Sequence, residues 1–169
     1  LCMAENLSPN GFGAVVDIDL KGTFHCSKAA LPYLKKRGGV VVNISATLHY
    51  LGTPAQLHVA SAKAGVDALT RVLAVEWGSY GIRVNGIAPG PIADTEGVRR
   101  LLDDDAKHRA EQVTPLQRLG LVKDVSDAAL FLCSGAAGYI TGVTLVVDGG
   151  LWLTASGQLL ASPPEVGAP

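Results

Sequence analysis

The sequence predicts an α/β fold, the C-terminal part of a doubly wound parallel sheet. Three observations carry that prediction. Helical stretches alternate with short strand-like runs at 40–44, 83–88 and 142–148, the pattern of a parallel sheet with helices on its faces. The first run, Val40-Val41-Val42-Asn43-Ile44, is almost continuously apolar, as in a strand covered on both sides. No glycine-rich turn follows a first strand, although a dinucleotide-binding sheet opens with one. Gly11-Phe12-Gly13 follows no strand and Gly38-Gly39 precedes one.

The elements read in order. From about Gly11 to Lys36 a helical pattern places Val15, Ile18, Phe24, Ala29, Leu31 and Leu34 on one broad apolar face. Lys35-Lys36-Arg37 puts cations at its last turn and Gly38-Gly39 ends it. After the first strand, a helix from about Ser61 to Trp77 turns Ala62, Val66, Leu69, Val72, Leu73 and Val75 inward, with Trp77 as a core anchor, and closes at Gly78. Arg83 to Ala88 is the next strand, stopped by Pro89. Asp94 to Thr114 reads as a loop with a short charged helix, Asp124 to Cys133 as a helix and Gly142 to Asp148 as the last strand. Residues 1–153 form one partial domain; residues 154–169, with Pro163, Pro164 and Pro169, form an irregular tail. Three strands are few for an open sheet of this kind. The chain, which opens on Leu1, therefore reads as a piece of a larger domain whose 40–44 edge lacks its neighbours.

Composition narrows the function classes. The 169 residues are 48% hydrophobic with a net charge of −1, which fits one soluble globular unit and gives no electrostatic reason to expect nucleic acid or an anionic membrane. No apolar run reaches the ~18 residues of a membrane span. Cys2, Cys26 and Cys133 are odd in number and widely spaced, which predicts free thiols. No cluster of histidine, cysteine and carboxylate has metal-ligand spacing, so no metal is expected.

Ligands of open parallel sheets bind beyond the carboxyl ends of the strands. The loops to watch are therefore 45–58, 89–100 and the segment after Asp148. The first leads into a helix on which Lys63 and Asp67 lie four residues apart, with Arg71 a turn further. Spacing alone fits either a surface ion-pair row or a functional pair.

Several segments, in order, carry a resemblance: Asp17-Ile18-Asp19-Leu20-Lys21-Gly22-Thr23-Phe24, Val42-Asn43-Ile44-Ser45-Ala46-Thr47, Ser61-Ala62-Lys63-Ala64-Gly65-Val66-Asp67-Ala68, Leu73-Ala74-Val75-Glu76-Trp77-Gly78, Ala88-Pro89-Gly90-Pro91-Ile92, Thr95-Glu96-Gly97, Pro115-Leu116-Gln117-Arg118-Leu119-Gly120 and Asp148-Gly149-Gly150. From Leu1 to about Leu153 the chain resembles the short-chain dehydrogenase/reductase family, and within it the peroxisomal type of 2,4-dienoyl-CoA reductases. The resemblance implies a Rossmann-like fold and NADPH-dependent reduction of an acyl-CoA substrate in fatty-acid degradation.

The departures from the mainstream family are as informative. The family's serine position is Ala46 and its tyrosine position Val59, while the lysine remains as Lys63. Carbonyl reduction needs an acid for the alkoxide, commonly a tyrosine whose pKa of about 10 a lysine lowers. Reduction of a conjugated thioester needs hydrogen-bond donors for an enolate oxygen and an activated water instead. By resemblance, Lys63 contacts the nicotinamide ribose and, with Asp67, orients the protonating water. The resemblance also implies that Pro89, Gly90, Pro91 and Ile92 form the nicotinamide turn and that Thr95 meets the pyrophosphate. By the same resemblance Ser8, Pro9, Asn10 and Arg100 contact acyl-CoA; Ser8 or Asn10 also suits a helix cap, and Arg100 also suits a solvated surface role beside Asp103-Asp104-Asp105. The mitochondrial-type tyrosine position is Leu48, two residues from Tyr50, which either lines the substrate wall or reaches the site. The tyrosine position of enoyl-thioester reductases is Gln56. An alcohol or 3-oxoacyl dehydrogenase, or a non-catalytic acyl-CoA-binding or oligomerising piece, are the alternatives. The resemblance further implies a homo-oligomer and a peroxisomal location, although Gly167-Ala168-Pro169 is unlike a peroxisomal tripeptide.

Overall fold

In the computed structural model of the chain, residues 1–157 are described. The first helical rod starts at Pro9, and of the two expected cap candidates Ser8 caps it: its Oγ accepts the Gly11 N–H at 3.0 Å and Pro9 occupies the first turn. The rod comprises α1 (Pro9–Val15), a π-helical stretch (Val16–Lys21) and α2 (Gly22–Leu34). A wider π turn rotates the face that follows it. The apolar face expected for one regular helix is accordingly split, with Leu31 and Leu34 packing on the core while Ile18 and Phe24 stay exposed.

Strands β1 (Gly39–Ile44), β2 (Ile82–Pro89) and β3 (Thr144–Val147) form a parallel sheet in the order β1-β2-β3, with Val41 opposite Val84 and Ile87 opposite Leu145. The strand covered on both faces is β2, whose Ile82, Val84, Ile87 and Ala88 are buried. β1 lies at an edge of the sheet, with Ile44 exposed. Gly38 enters β1 at φ +72°, and a Cβ there would meet the Gly81 carbonyl oxygen at 2.7 Å, so glycine is needed twice over.

Helix α3 (Leu57–Trp77) covers β2. Its Leu73, Ala74 and Trp77 join Ile82 and Val84 in the core. Val72 and Val75, expected inside, are exposed. At 100° per residue they fall opposite the stripe of Ala62, Val66, Thr70, Leu73 and Trp77 that faces the sheet.

The polar stretch after β2 folds as two helices instead of one, α4 (Glu96–Leu101) and α5 (Asp104–Val113), because Thr95 and Asp103 each cap a start. Helix α6 (Val122–Cys133) precedes β3. A last helix, α7 (Leu151–Gly157), crosses the boundary expected at residues 153–154. Its start is set by Asp148, whose carboxylate accepts the N–H groups of Gly150 (2.9 Å) and Trp152 (2.8 Å). The remainder of the expected tail, 158–169, lies outside the described residues. Among those described, no helix is long and apolar enough to cross a membrane.

Arg83 ties the sheet to the end of α6. Its guanidinium donates to the carbonyls of Leu132 (2.7 Å), Ser134 (3.2 Å) and Ile140 (3.4 Å). Arg83→Met should lower stability by about 2–4 kcal/mol, since bonds to a charged donor contribute most and the abandoned carbonyls are part-buried. A urea midpoint unchanged from the parent's would refute this.

Candidate active site

The carboxyl ends of the strands deliver three loops to one end of the sheet: 45–56 after β1, 90–95 after β2 and 148–150 after β3. The first two are joined where Thr47 Oγ donates to the Pro89 carbonyl at 3.4 Å.

Lys63 projects from the second turn of α3. Its Nζ donates to the Ile44 carbonyl at the end of β1 (3.1 Å) and lies 3.6 Å from Asp19 Oδ1. The Lys63 side chain is 18% exposed and that of Asp19 31%, so the pair is part-sheltered yet open to solvent or a ligand. Glycine makes their meeting possible. A Cβ on Gly65 would lie 2.7 Å from Leu20 Cδ2, so its absence lets the π-helical stretch close on α3 and bring Asp19 to Lys63. Sequence spacing gives Asp19 no role, because no spacing rule links residues 44 positions apart. The Asp17-Ile18-Asp19 segment was its only trace. Ala46 and Val59 offer no hydroxyl.

Asp67 faces elsewhere. Its Oδ2 accepts the Tyr50 hydroxyl at 2.9 Å and meets His49 Nε2 at 3.0 Å, while its Oδ1 is buried without a partner among the described residues. The expected Lys63–Asp67 pairing is thus replaced by Lys63–Asp19 and by a carboxylate clasping the loop. Burial, followed by the neighbouring Asp67, pushes the Tyr50 hydroxyl up to about 12, the opposite of what an acid catalyst needs. Ser45 Oγ also approaches His49 Nε2, at 3.3 Å. Serine and aspartate therefore share a single ring nitrogen. A hydrolytic triad needs one on each, so the cluster cannot relay a proton from Ser45.

The remaining candidates divide among separate recesses. Pro89, Gly90 and Pro91 border an apolar cavity of 410 Å³ that Ala46, Leu48 and Leu51 of the first loop, Val98, Leu101 and Leu102 around α4, and Leu151 of α7 also line. Lys63 and Asp19 open onto a trough between α2 and β1. Thr95 borders a small polar recess with Arg99 and Lys107, its hydroxyl donating to the Ile92 carbonyl at 2.7 Å. The Ile92 side chain is buried and would block a Cβ on Gly120. Arg100 is exposed and its Nε donates to Glu96 at 2.6 Å. Ser8 is the cap of α1, with Pro9 and Asn10 exposed behind it.

A family model described as Enoyl-(Acyl carrier protein) reductase matches residues 3–152. The peroxisomal 2,4-dienoyl-CoA reductase [(3E)-enoyl-CoA-producing] of Arabidopsis thaliana is 51% identical, over 91% of this chain and 55% of its own length. That of Saccharomyces cerevisiae is 53% identical, over 90% of this chain and 52% of its own. The chain thus spans about half the length of these curated relatives. Among solved structures, a short chain dehydrogenase from Bacillus anthracis matches with a TM-score of 0.81 and 45% identity, covering 89% of this chain and 60% of that one. A gluconate 5-dehydrogenase from Burkholderia cenocepacia, in complex with NADP and tartrate, matches with a TM-score of 0.84 and 33% identity, covering 89% and 59%.

Proposed function

Since the chain belongs to the short-chain dehydrogenase/reductase family, we propose that the complete protein is an NADPH-dependent 2,4-dienoyl-CoA reductase of unsaturated fatty-acid degradation. In this reading the chain supplies the catalytic lysine and the acyl cavity. One observation carries the reading: a cation and a carboxylate, Lys63 and Asp19, stand together at 3.6 Å where both family hydroxyls are replaced by Ala46 and Val59. The activity named for the yeast and plant relatives supports the substrate class.

The residues present suit a nicotinamide. Gly90 has no room for a side chain, since a Cβ would lie 2.7 Å from Asp148 Cβ, so the turn offers bare backbone between two prolines. When bound, the cofactor supplies hydride to the far carbon of the diene. Lys63 holds the ribose and places positive charge near the thioester oxygen as that oxygen gains enolate charge. The Lys63–Asp19 pair orients a water, which delivers the proton to the carbon next to the thioester. Asp67, expected in that role from its spacing, commits the bonds of Oδ2 to His49 and Tyr50, which favours Asp19. Thr95 and Arg100 remain the candidates for cofactor pyrophosphate and coenzyme A phosphate, each after exchanging its present partner, Ile92 or Glu96. Ser8, Pro9 and Asn10 remain candidates for the acyl-CoA surface. The exposed Val72 and Val75 on α3 support a homo-oligomer, and the relatives' names support a peroxisomal location.

The test is NADPH oxidation by the complete protein with a 2,4-dienoyl-CoA and, separately, a 3-oxoacyl-CoA. The expected result is turnover of the dienoyl substrate to a 3-enoyl product with little 3-oxoacyl reduction. No dienoyl turnover, or a preference for the 3-oxoacyl substrate, would sink the reading.

A further inference from the structure

Tyr50 stands in the middle of the loop between β1 and α3 and touches two separate elements. Its hydroxyl donates to Asp67 on α3 at 2.9 Å, and its ring lies 5.7 Å from that of Trp152 on α7, tilted by 58°. His49, edge-on to Tyr50 at 4.2 Å, meets the same Asp67 oxygen at 3.0 Å. The residues flanking this contact line the apolar cavity: Leu48 and Leu51 on the loop, Leu151 on α7. Other side-chain bonds of the loop lie at its start, Ser45 to the Lys63 carbonyl and Thr47 to Pro89, or within it, Ser45 with His49 and Thr53 to Leu48.

We propose that Tyr50 is a positioning residue that sets the width of the acyl cavity, and with it the preference for acyl-chain length, by holding the loop wall and the α7 wall on Asp67. The inference rests on the acyl-CoA reading of that cavity. Asp67 is 4% exposed and its other oxygen has no partner among the described residues, so releasing either donor would leave a buried carboxylate with a single bond. The clasp therefore resists opening. With its hydroxyl pushed up to about 12, Tyr50 keeps its proton at physiological pH and the donor is always present. Firm walls matter because a methylene is discriminated about 10–200-fold only by a pocket that cannot yield.

The test compares Tyr50→Phe, which keeps the ring on Trp152 and removes the donor, with Asp67→Asn, which keeps an acceptor for the hydroxyl. Both are made in the complete protein. Hexanoyl-CoA and dodecanoyl-CoA dissociation constants are measured by calorimetry, with kcat and KM for short and long dienoyl-CoA. Tyr50→Phe should change the ratio of the two dissociation constants at least about fivefold, with kcat on the short substrate within about twofold of the parent, and Asp67→Asn should keep a ratio close to the parent's. Trp152→Leu, which frees the same wall from the other side, should change the ratio in the same direction and serves if Tyr50→Phe does not fold. An unchanged ratio in a folded variant would overturn the proposal alone. A fall in kcat of about a hundredfold at constant ratio would overturn it too, by making Tyr50 a proton donor. If the parent binds neither acyl-CoA, the cavity's assignment falls and the proposal with it.

Discussion

Lys63→Met in the complete protein should lower kcat on a 2,4-dienoyl-CoA by about 10²–10⁴-fold, the range spanned by loss of a positioned proton-transfer group or of a charge aimed at a developing oxyanion. Methionine keeps most of the stem's volume and removes the charge. The abandoned groups can find other partners: Asp19 is 31% exposed and can be hydrated, so the fold should survive. The split between kcat and KM then separates two roles. If Lys63 only holds the cofactor ribose, KM for NADPH should rise with kcat preserved; if it also stabilises the enolate and orients the protonating water, kcat should fall by itself. Asp19→Asn should reproduce part of the loss in kcat, whereas Asp67→Asn should not, because Asp67 bonds the loop and not Lys63. A Lys63→Met protein with near-parental kcat would overturn the mechanism.

Much of the fold was legible in the sequence because the physics behind it is local. Val40 to Ile44 reads as a strand from its apolar run after two glycines, and β1 occupies that stretch. The rod from Pro9 to Leu34 and α3 read as helices from their periodicity. The misreadings have non-local causes. A π turn at Val16–Lys21 changes which residues face inward, and nothing in a hydrophobic pattern marks it. Helix α7 has no apolar period of its own; it is started by the Asp148 carboxylate reaching across two glycines. In the site, Lys63 and its crevice loops were accessible through the order of motifs. Asp19 was not, because it reaches Lys63 only after Leu20 closes over Gly65. Asp67 was legible as a candidate, but its contacts with His49 and Tyr50 were not. Residues four apart on a helix share a face in projection, yet a loop folded over one of them can capture its side chain first.

That capture leaves the stability of the fold dependent on two donors to one buried carboxylate. Asp67 is 4% exposed, and both of its observed bonds come from adjacent loop residues. Stripping it of both, as His49→Leu with Tyr50→Phe, should destabilise the complete protein by about 3–5 kcal/mol, the usual result of leaving a buried charge uncompensated. Either substitution alone should cost less than half of that, since one bond to the carboxylate remains. Adding Asp67→Leu to the double variant should recover most of the loss, because an apolar side chain of similar volume needs no partner. Urea midpoints of the parent and the four variants decide this, and a triple variant no more stable than the double would refute it. The clasp also has an alkaline signature. The Tyr50 hydroxyl is raised from about 10 to about 12 by burial and by Asp67. A group whose folded pKa is raised contributes stability that is fully present below about pH 10 and is lost as pH rises through about 12, where the phenolate would face the carboxylate that it now serves as donor. The parent should therefore lose stability across that window and Tyr50→Phe should lack this component. Identical alkaline profiles for the two proteins would show that the hydroxyl does not hold the loop.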